Sequence, residues 1–266
     1  MASLALGSAL SALPAIPLAV LGLAPAADPS WTSILLLGAL AGLLSLDDTA
    51  LAQTWFSQPL PVAVLTGAFC GDPLVGLAIG LPVQLILAGN LPVGQTFTGD
   101  HVTALVAVIG SVVLSGRELG LALGAETLSE IPFVGWMVVA VGVLSSAGHF
   151  LIQIERRAHS AWMLEGHRTL RDGRLSRIEY IHARCLFATF LRGFVTAIIM
   201  FLVLRRLWIP LFDHLPLLLL GALGMLPLLL PGLGIGNLID RYGLRSSWPW
   251  LVSGTAISYV VTRFVL

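Results

Sequence analysis

A stretch of 24 residues, 131–154, contains no Asp, Glu, Lys or Arg. As a helix it would extend about 36 Å, which is enough to cross a hydrocarbon core about 30 Å thick. Further apolar runs occur at Ser33–Leu46, Val102–Leu114, Leu186–Leu207, Leu215–Leu230 and Trp248–Leu266. The sequence therefore predicts an all-α, polytopic integral membrane protein with about seven or eight hydrophobic segments.

Composition supports the same class of protein. The chain is 57% hydrophobic and only 11% charged, whereas soluble domains carry about 25% charged residues. The 14 basic and 14 acidic residues balance, so nothing indicates nucleic-acid binding. A multi-pass membrane protein, in contact with lipid, is expected.

Residues 1–30 form an extra apolar segment ahead of a single membrane domain over residues 31–266. Pro14, Pro17 and Pro25 interrupt this segment. It lacks the basic region that opens a secretory signal. We expect either an additional membrane-associated segment or a start codon assigned too early.

The stretch Leu60–Val93 contains two apolar segments that are too short to cross a membrane as straight helices. Gly71-Asp72-Pro73 separates them, and Pro82 and Pro92 interrupt the second. Short, interrupted segments of this kind indicate re-entrant or broken helices, which often line the binding site of a transporter. A tight turn between two spans is the alternative.

Residues 155–184 differ from the rest of the chain because they contain seven arginines and four acidic residues. The one clear interruption is Asp172-Gly173, so the pattern predicts an Arg-rich hairpin of two polar helices outside the membrane. Placing this loop in the cytoplasm puts most of the arginines after residue 155 on the cytoplasmic side, as the positive-inside rule prefers.

Polar residues concentrate between positions 47 and 101, in otherwise apolar surroundings. Carboxylates and amides can form paired hydrogen bonds with sugar hydroxyls, and an indole can cover the apolar face of a sugar ring. Ionisable groups within a membrane are functional candidates, although solvated loop ends would explain the acidic residues equally well. The candidate substrate-binding residues are Asp47, Gln53, Trp55, Gln84, Asn90, Gln95, Thr98 and Asp100.

No catalytic, cofactor or metal site is expected. The chain has no lysine, so a phosphate-binding loop with its lysine is excluded, and Gly232–Gly236 does not fit dinucleotide spacing. Cys70 and Cys185 lie inside apolar runs and have no metal-binding or redox spacing.

The segment from Leu46 to Asp100 resembles enzyme IIC of the mannose/fructose/sorbose family of the sugar phosphotransferase system. The similarity is carried by Asp47-Asp48, Gln53-Thr54, Ser57-Gln58-Pro59-Leu60, Gly71-Asp72, Leu91-Pro92-Val93-Gly94 and Asp100, in the family's order. Weaker similarity extends over roughly residues 32–265. The chain departs from the family's pattern in having Gln58-Pro59 for Arg-Pro and Thr98-Gly99-Asp100-His101 for Pro-Pro-Asp-Glu.

This resemblance implies the membrane permease subunit of a phosphoenolpyruvate-dependent system that takes up a hexose. A IID membrane subunit would complete the path in an oligomeric complex, and soluble IIA and IIB subunits would carry the phosphate, so the chain itself would not be an enzyme. The departures favour a second hypothesis, a non-transporting sensor or scaffold of an incomplete system. A vitamin-uptake component fits the composition but not the order of the motifs.

Overall fold

The structure is a computed structural model that describes residues 29–51, 53–87, 99–115, 131–171, 173, 176–243, 245–246, 248–249, 252–254 and 256. Within these residues the regular secondary structure is helical, which confirms the predicted all-α class. The helices are α1 (Trp31–Thr49), α2 (Pro59–Cys70), α3 (Pro73–Leu87), α4 (His101–Val113), α5 (Ile131–Arg171), α6 (Ser176–Val203), α7 (Ile209–Phe212) and α8 (Leu217–Tyr242). Residues 1–28 and most of Trp248–Leu266 lie outside the described residues.

Among the described residues, three helical segments are long and apolar enough to cross a membrane: Trp31–Asp48, part of Ile131–Arg171 and part of Arg177–Phe212. The predicted polytopic membrane protein is therefore confirmed. Several apolar helices are shorter than a span, and α4, with 13 residues, is only about 20 Å long.

The α2–α3 hairpin has the form that the Gly-Asp-Pro break predicts. Gly71 ends α2 with a φ of 99°, a left-handed conformation that glycine adopts most easily. Asp72 then caps α3, because its Oδ1 accepts hydrogen bonds from Leu74 N (3.0 Å) and Val75 N (3.1 Å). With 12 and 15 residues, the two helices are about 18 and 22 Å long, too short to cross the core separately.

Helices α5 and α6 form the predicted Arg-rich hairpin, but they differ from two separate polar helices. Helix α5 runs without interruption for 41 residues, or about 60 Å, from the apolar segment into the polar arm. Gly173, with a φ of 73°, lies in the turn. The arms are therefore extensions of the spans, because no Gly-Pro signal or loop separates the apolar part from the polar part.

Helix α4 lies at the centre of the bundle and packs against α1, α2, α3, α5 and α6. All its residues from His101 to Val112 are buried. Its first residues therefore lie inside the protein, where their polar groups need partners from neighbouring helices.

Candidate functional site

The beginning of α2 is where predicted site residues from distant parts of the chain meet. Asp47 Oδ2 accepts a hydrogen bond from Ser57 N (3.0 Å), and Gln84 Oε1 accepts one from Leu60 N (3.1 Å). His101 Nε2 lies 3.0 Å from Ser57 O, and the neighbouring Asp100 is buried beside it. The structure thus brings Asp47, Gln84 and Asp100 to one region around residues 57–60.

Asp47 also organises residues 53–58, which we call the Asp47 loop. Its Oδ1 accepts hydrogen bonds from both Thr54 N and Thr54 Oγ1, each at 2.7 Å. Gln53 (φ 51°) and Trp55 (φ 76°) adopt left-handed backbone conformations, which cost roughly 1–3 kcal/mol each for non-glycine residues. The loop therefore holds two strained residues with exposed side chains, and Trp55 is 78% exposed.

Asp100 belongs to a buried polar group that joins α4, α5 and α6. Arg192 Nη1 donates a hydrogen bond to Asp100 Oδ2, and Arg192 Nε donates one to Glu155 Oε2. Thr189 Oγ1 donates to the other oxygen of Glu155. We call Asp100, Glu155, Thr189 and Arg192 the Arg192 cluster.

The Arg192 cluster is well shielded from solvent. The side chains of Asp100, Glu155 and Arg192 are 2%, 10% and 11% exposed. Asp100 Oδ1 also caps α4 by accepting a hydrogen bond from Thr103 N at 3.2 Å. One guanidinium thus serves two buried carboxylates, so its removal would leave both without their shared cation.

Arg192 and Glu155 are functional candidates that the sequence analysis missed. Arg192 stands in the middle of the apolar run Leu186–Leu207, and an ionisable residue in such a run is itself a signal. Glu155 is the first residue of the predicted polar hairpin 155–184, but its side chain faces Arg192 and is nearly buried. Asn90, Gln95 and Thr98 lie outside the described residues.

A cavity of about 190 Å³ lies between α3, α4 and α5. We call it the His101 cavity. Its lining is mostly apolar and consists of Val83, Ile86, Leu87, His101, Val138, Val141, Gly142, Ser145 and Ser146. Asp100, the residue before α4, contacts α5 beside this cavity, because its backbone N donates a hydrogen bond to the carbonyl oxygen of the lining residue Ser145 at 3.0 Å.

A second cavity, of about 580 Å³, lies between the polar arms of α5 and α6. We call it the hairpin cavity. Arg156, His159, His167 and His182 contribute the basic and titratable part of its lining, and Met163, Leu170, Ile178 and Ile181 contribute apolar side chains. Beside it Arg184 stacks on Trp162, with the guanidinium carbon 4.2 Å from the ring centroid.

Short apolar helices around a buried polar centre, together with three membrane-length helices, define a polytopic membrane protein with an internal polar site. The sequence model of the family described as PTS system sorbose-specific IIC component matches residues 31–265. The chain therefore belongs to this family of phosphotransferase-system membrane components. The resemblance predicted from the motifs is confirmed.

Individual relatives are more distant. The chain is 26% identical over 167 residues to the mannose-specific EIIC component of Escherichia coli K12, and equally to that of Shigella flexneri. The aligned region covers 62% of this chain and 55% of each relative, so the chain spans about half the length of the curated relatives it matches.

Two solved structures align with most of the chain. A chain described as a membrane protein aligns with a TM-score of 0.67 and 20% identity, covering 90% of this chain and 89% of the other. A chain of the mannose transporter ManYZ in complex with microcin E492 aligns with a TM-score of 0.47 and 21% identity, covering 88% and 86%. The first alignment supports the helical fold.

Proposed function

We propose that the chain is the membrane permease subunit of a phosphoenolpyruvate-dependent sugar phosphotransferase system, which binds a hexose and carries it across the inner membrane. The family match over residues 31–265 supports this function. The observation that carries the proposal is that Asp47, Gln84 and His101, which directly follows Asp100, all bind the backbone at the start of a helix too short to span the core. Broken helices of this kind line substrate sites in transporters.

The predicted site residues divide into two roles. Both carboxylate oxygens of Asp47 and of Asp100 already accept hydrogen bonds from the protein. These two residues, with Gln84, therefore position the backbone around the site. Gln53 and Trp55 are exposed and free to approach a sugar, and Asn90, Gln95 and Thr98 remain predicted contacts in the segment that connects α3 to α4.

The phosphoryl transfer belongs to partner subunits in this proposal. Soluble IIA and IIB subunits would phosphorylate the sugar, and a IID membrane subunit would complete the path. A IIB subunit would dock on the polar arms of α5 and α6, which we place in the cytoplasm. Their exposed arginines, Arg157, Arg168, Arg171, Arg177 and Arg184, suit an acidic partner surface.

Trp55 provides a direct test of the Asp47 loop as a sugar-binding element. We expect Trp55→Ala to weaken sugar uptake roughly tenfold, because an aromatic face covering the sugar ring contributes about 1 kcal/mol or more. Trp55→Phe should retain most of the uptake, since it keeps an aromatic face. Initial uptake rates across a range of sugar concentrations would measure both effects.

Trp31→Ala is the matched control, because Trp31 is also exposed (71%) but lies at the start of α1. It should leave uptake unchanged. Equal uptake by Trp55→Ala and Trp31→Ala, at equal amounts of protein in the membrane, would contradict the assignment of Trp55.

A further inference from the structure

His101 is a buried polar residue near the site whose hydrogen-bonding capacity is not fully used by the described residues. It is only 9% exposed. Its Nε2 lies 3.0 Å from the carbonyl oxygen of Ser57. A carbonyl can only accept, so Nε2 carries a proton, and Nδ1 is an acceptor whenever the ring is neutral.

The Nδ1 atom of His101 is buried and has no hydrogen-bond partner within the part of the chain that the structure describes. The same side chain lines the His101 cavity. Buried polar atoms are almost always paired with protein or ordered water, so an unpaired acceptor at a cavity wall indicates a place for a donor. By contrast, the oxygens of Asp47 and Asp100 are already occupied.

The chemistry of the cavity limits what this donor can be. No Asp, Glu, Lys or Arg is among the described residues that line it, so an ammonium or a phosphate group would be buried there without a counter-charge from them. Its walls are mainly the aliphatic side chains of α3 and α5, with the hydroxyls of Ser145 and Ser146 on one side. A neutral ligand that combines hydroxyl groups with C–H surfaces fits this lining.

We propose that His101 Nδ1 accepts a hydrogen bond from one hydroxyl group of the transported sugar in the His101 cavity, and so helps to determine which sugar binds. This inference rests on the proposed sugar-permease function and adds a specificity-determining residue to it. A sugar that lacks this hydroxyl would leave Nδ1 unpaired in a buried site, which disfavours its binding.

Two substitutions distinguish the role of Nδ1 from the role of Nε2. In His101→Asn the amide oxygen can take the position of Nδ1, so the acceptor is kept and the contact with Ser57 is lost. In His101→Gln the longer amide can reach Ser57 O, so that contact is kept and the Nδ1 acceptor is lost. A ligand role for Nδ1 thus predicts the opposite order of effects from a purely structural role for Nε2.

The experiment measures equilibrium binding of radiolabelled mannose, fructose, sorbose and glucosamine to the full-length protein with its IID partner. The sugar that wild type binds most tightly serves as the probe, together with its monodeoxy analogues. We expect His101→Gln to bind the probe about tenfold more weakly and His101→Asn to stay within about threefold of wild type. One deoxy analogue should bind wild type about tenfold more weakly than the probe does. On His101→Gln the same analogue and the probe should bind with similar affinity.

The inference is overturned if His101→Gln binds the probe as tightly as wild type does. It is also overturned if removal of each hydroxyl weakens binding by the same factor in wild type and in His101→Gln. Gly142→Phe tests the cavity without changing His101. Gly142 lines the cavity, and a Cβ there meets no described atom within 4 Å, so we expect the fold to accommodate a phenylalanine whose ring takes up part of the cavity. Unchanged sugar binding by this variant would also overturn the inference, whereas absence of binding by wild type would contradict the proposed function itself.

Discussion

Replacing Arg192 with methionine is expected to destabilise the protein by about 3–5 kcal/mol, because two buried carboxylates would lose their shared cation. The loss should lower the thermal unfolding midpoint of the full-length protein in detergent. It should also abolish sugar uptake, since Asp100 caps α4 directly beside His101. Adding Asp100→Asn and Glu155→Gln should restore part of the stability, because the carboxylates would then be neutral and asparagine still caps a helix.

Arg177→Met is the control for Arg192→Met. Arg177 pairs with Glu165 at 3.3 Å, but the two side chains are 54% and 40% exposed. An exposed pair of this kind contributes about 0–1 kcal/mol. Equal unfolding midpoints for the two methionine variants would contradict the account of the Arg192 cluster as a buried ion pair.

Replacing Asp47 with alanine is expected to reduce sugar uptake about a hundredfold or more while the protein still folds and inserts. Three hydrogen bonds from Thr54 and Ser57 end on this carboxylate. Without them the strained conformations at Gln53 and Trp55 would relax, because nothing would offset their cost of roughly 1–3 kcal/mol each. Uptake rates and the unfolding midpoint of the same variant would separate a loss of sugar transport from a loss of stability.

Asp72→Ala offers a matched comparison, because Asp72 also accepts two backbone hydrogen bonds, at the start of α3. Loss of such a cap costs about 1 kcal/mol, but Asp72 lies at the opposite end of α2 from the Asp47 loop. We expect Asp72→Ala to lower stability slightly and to transport normally. If Asp47→Ala transported equally well, the loop would have no part in sugar binding.

The parts of the fold that depend on local chemistry could be predicted from the sequence. Gly71-Asp72-Pro73 breaks a helix because a left-handed glycine, a side-chain cap and a proline at the first helical position act together. Gly173 lies in the turn of the Arg-rich hairpin for a similar reason. The continuity of α5 could not be predicted, because the change from apolar to polar residues near position 155 indicates neither that a helix ends there nor that it continues.

The site was predicted only in part. Asp47, Gln84 and Asp100 were identified as polar groups in apolar surroundings, but sequence could not show that their oxygens bind the backbone and Arg192. The pairing of Arg192 with Glu155 joins residues 37 positions apart, and it depends on how α5 and α6 pack. For the same reason, replacement of Asp100 with alanine should destabilise α4 and the Arg192 cluster.

The most direct test of the proposed function is uptake of radiolabelled mannose, fructose, sorbose and glucosamine, with phosphorylation of the product measured. Cells would express this chain and the soluble IIA and IIB subunits, with and without the candidate IID partner. The permease account predicts that phosphorylated sugar accumulates only when this chain and its partner are both present. Absence of uptake of every sugar by the assembled complex would contradict it and favour a sensor or scaffold.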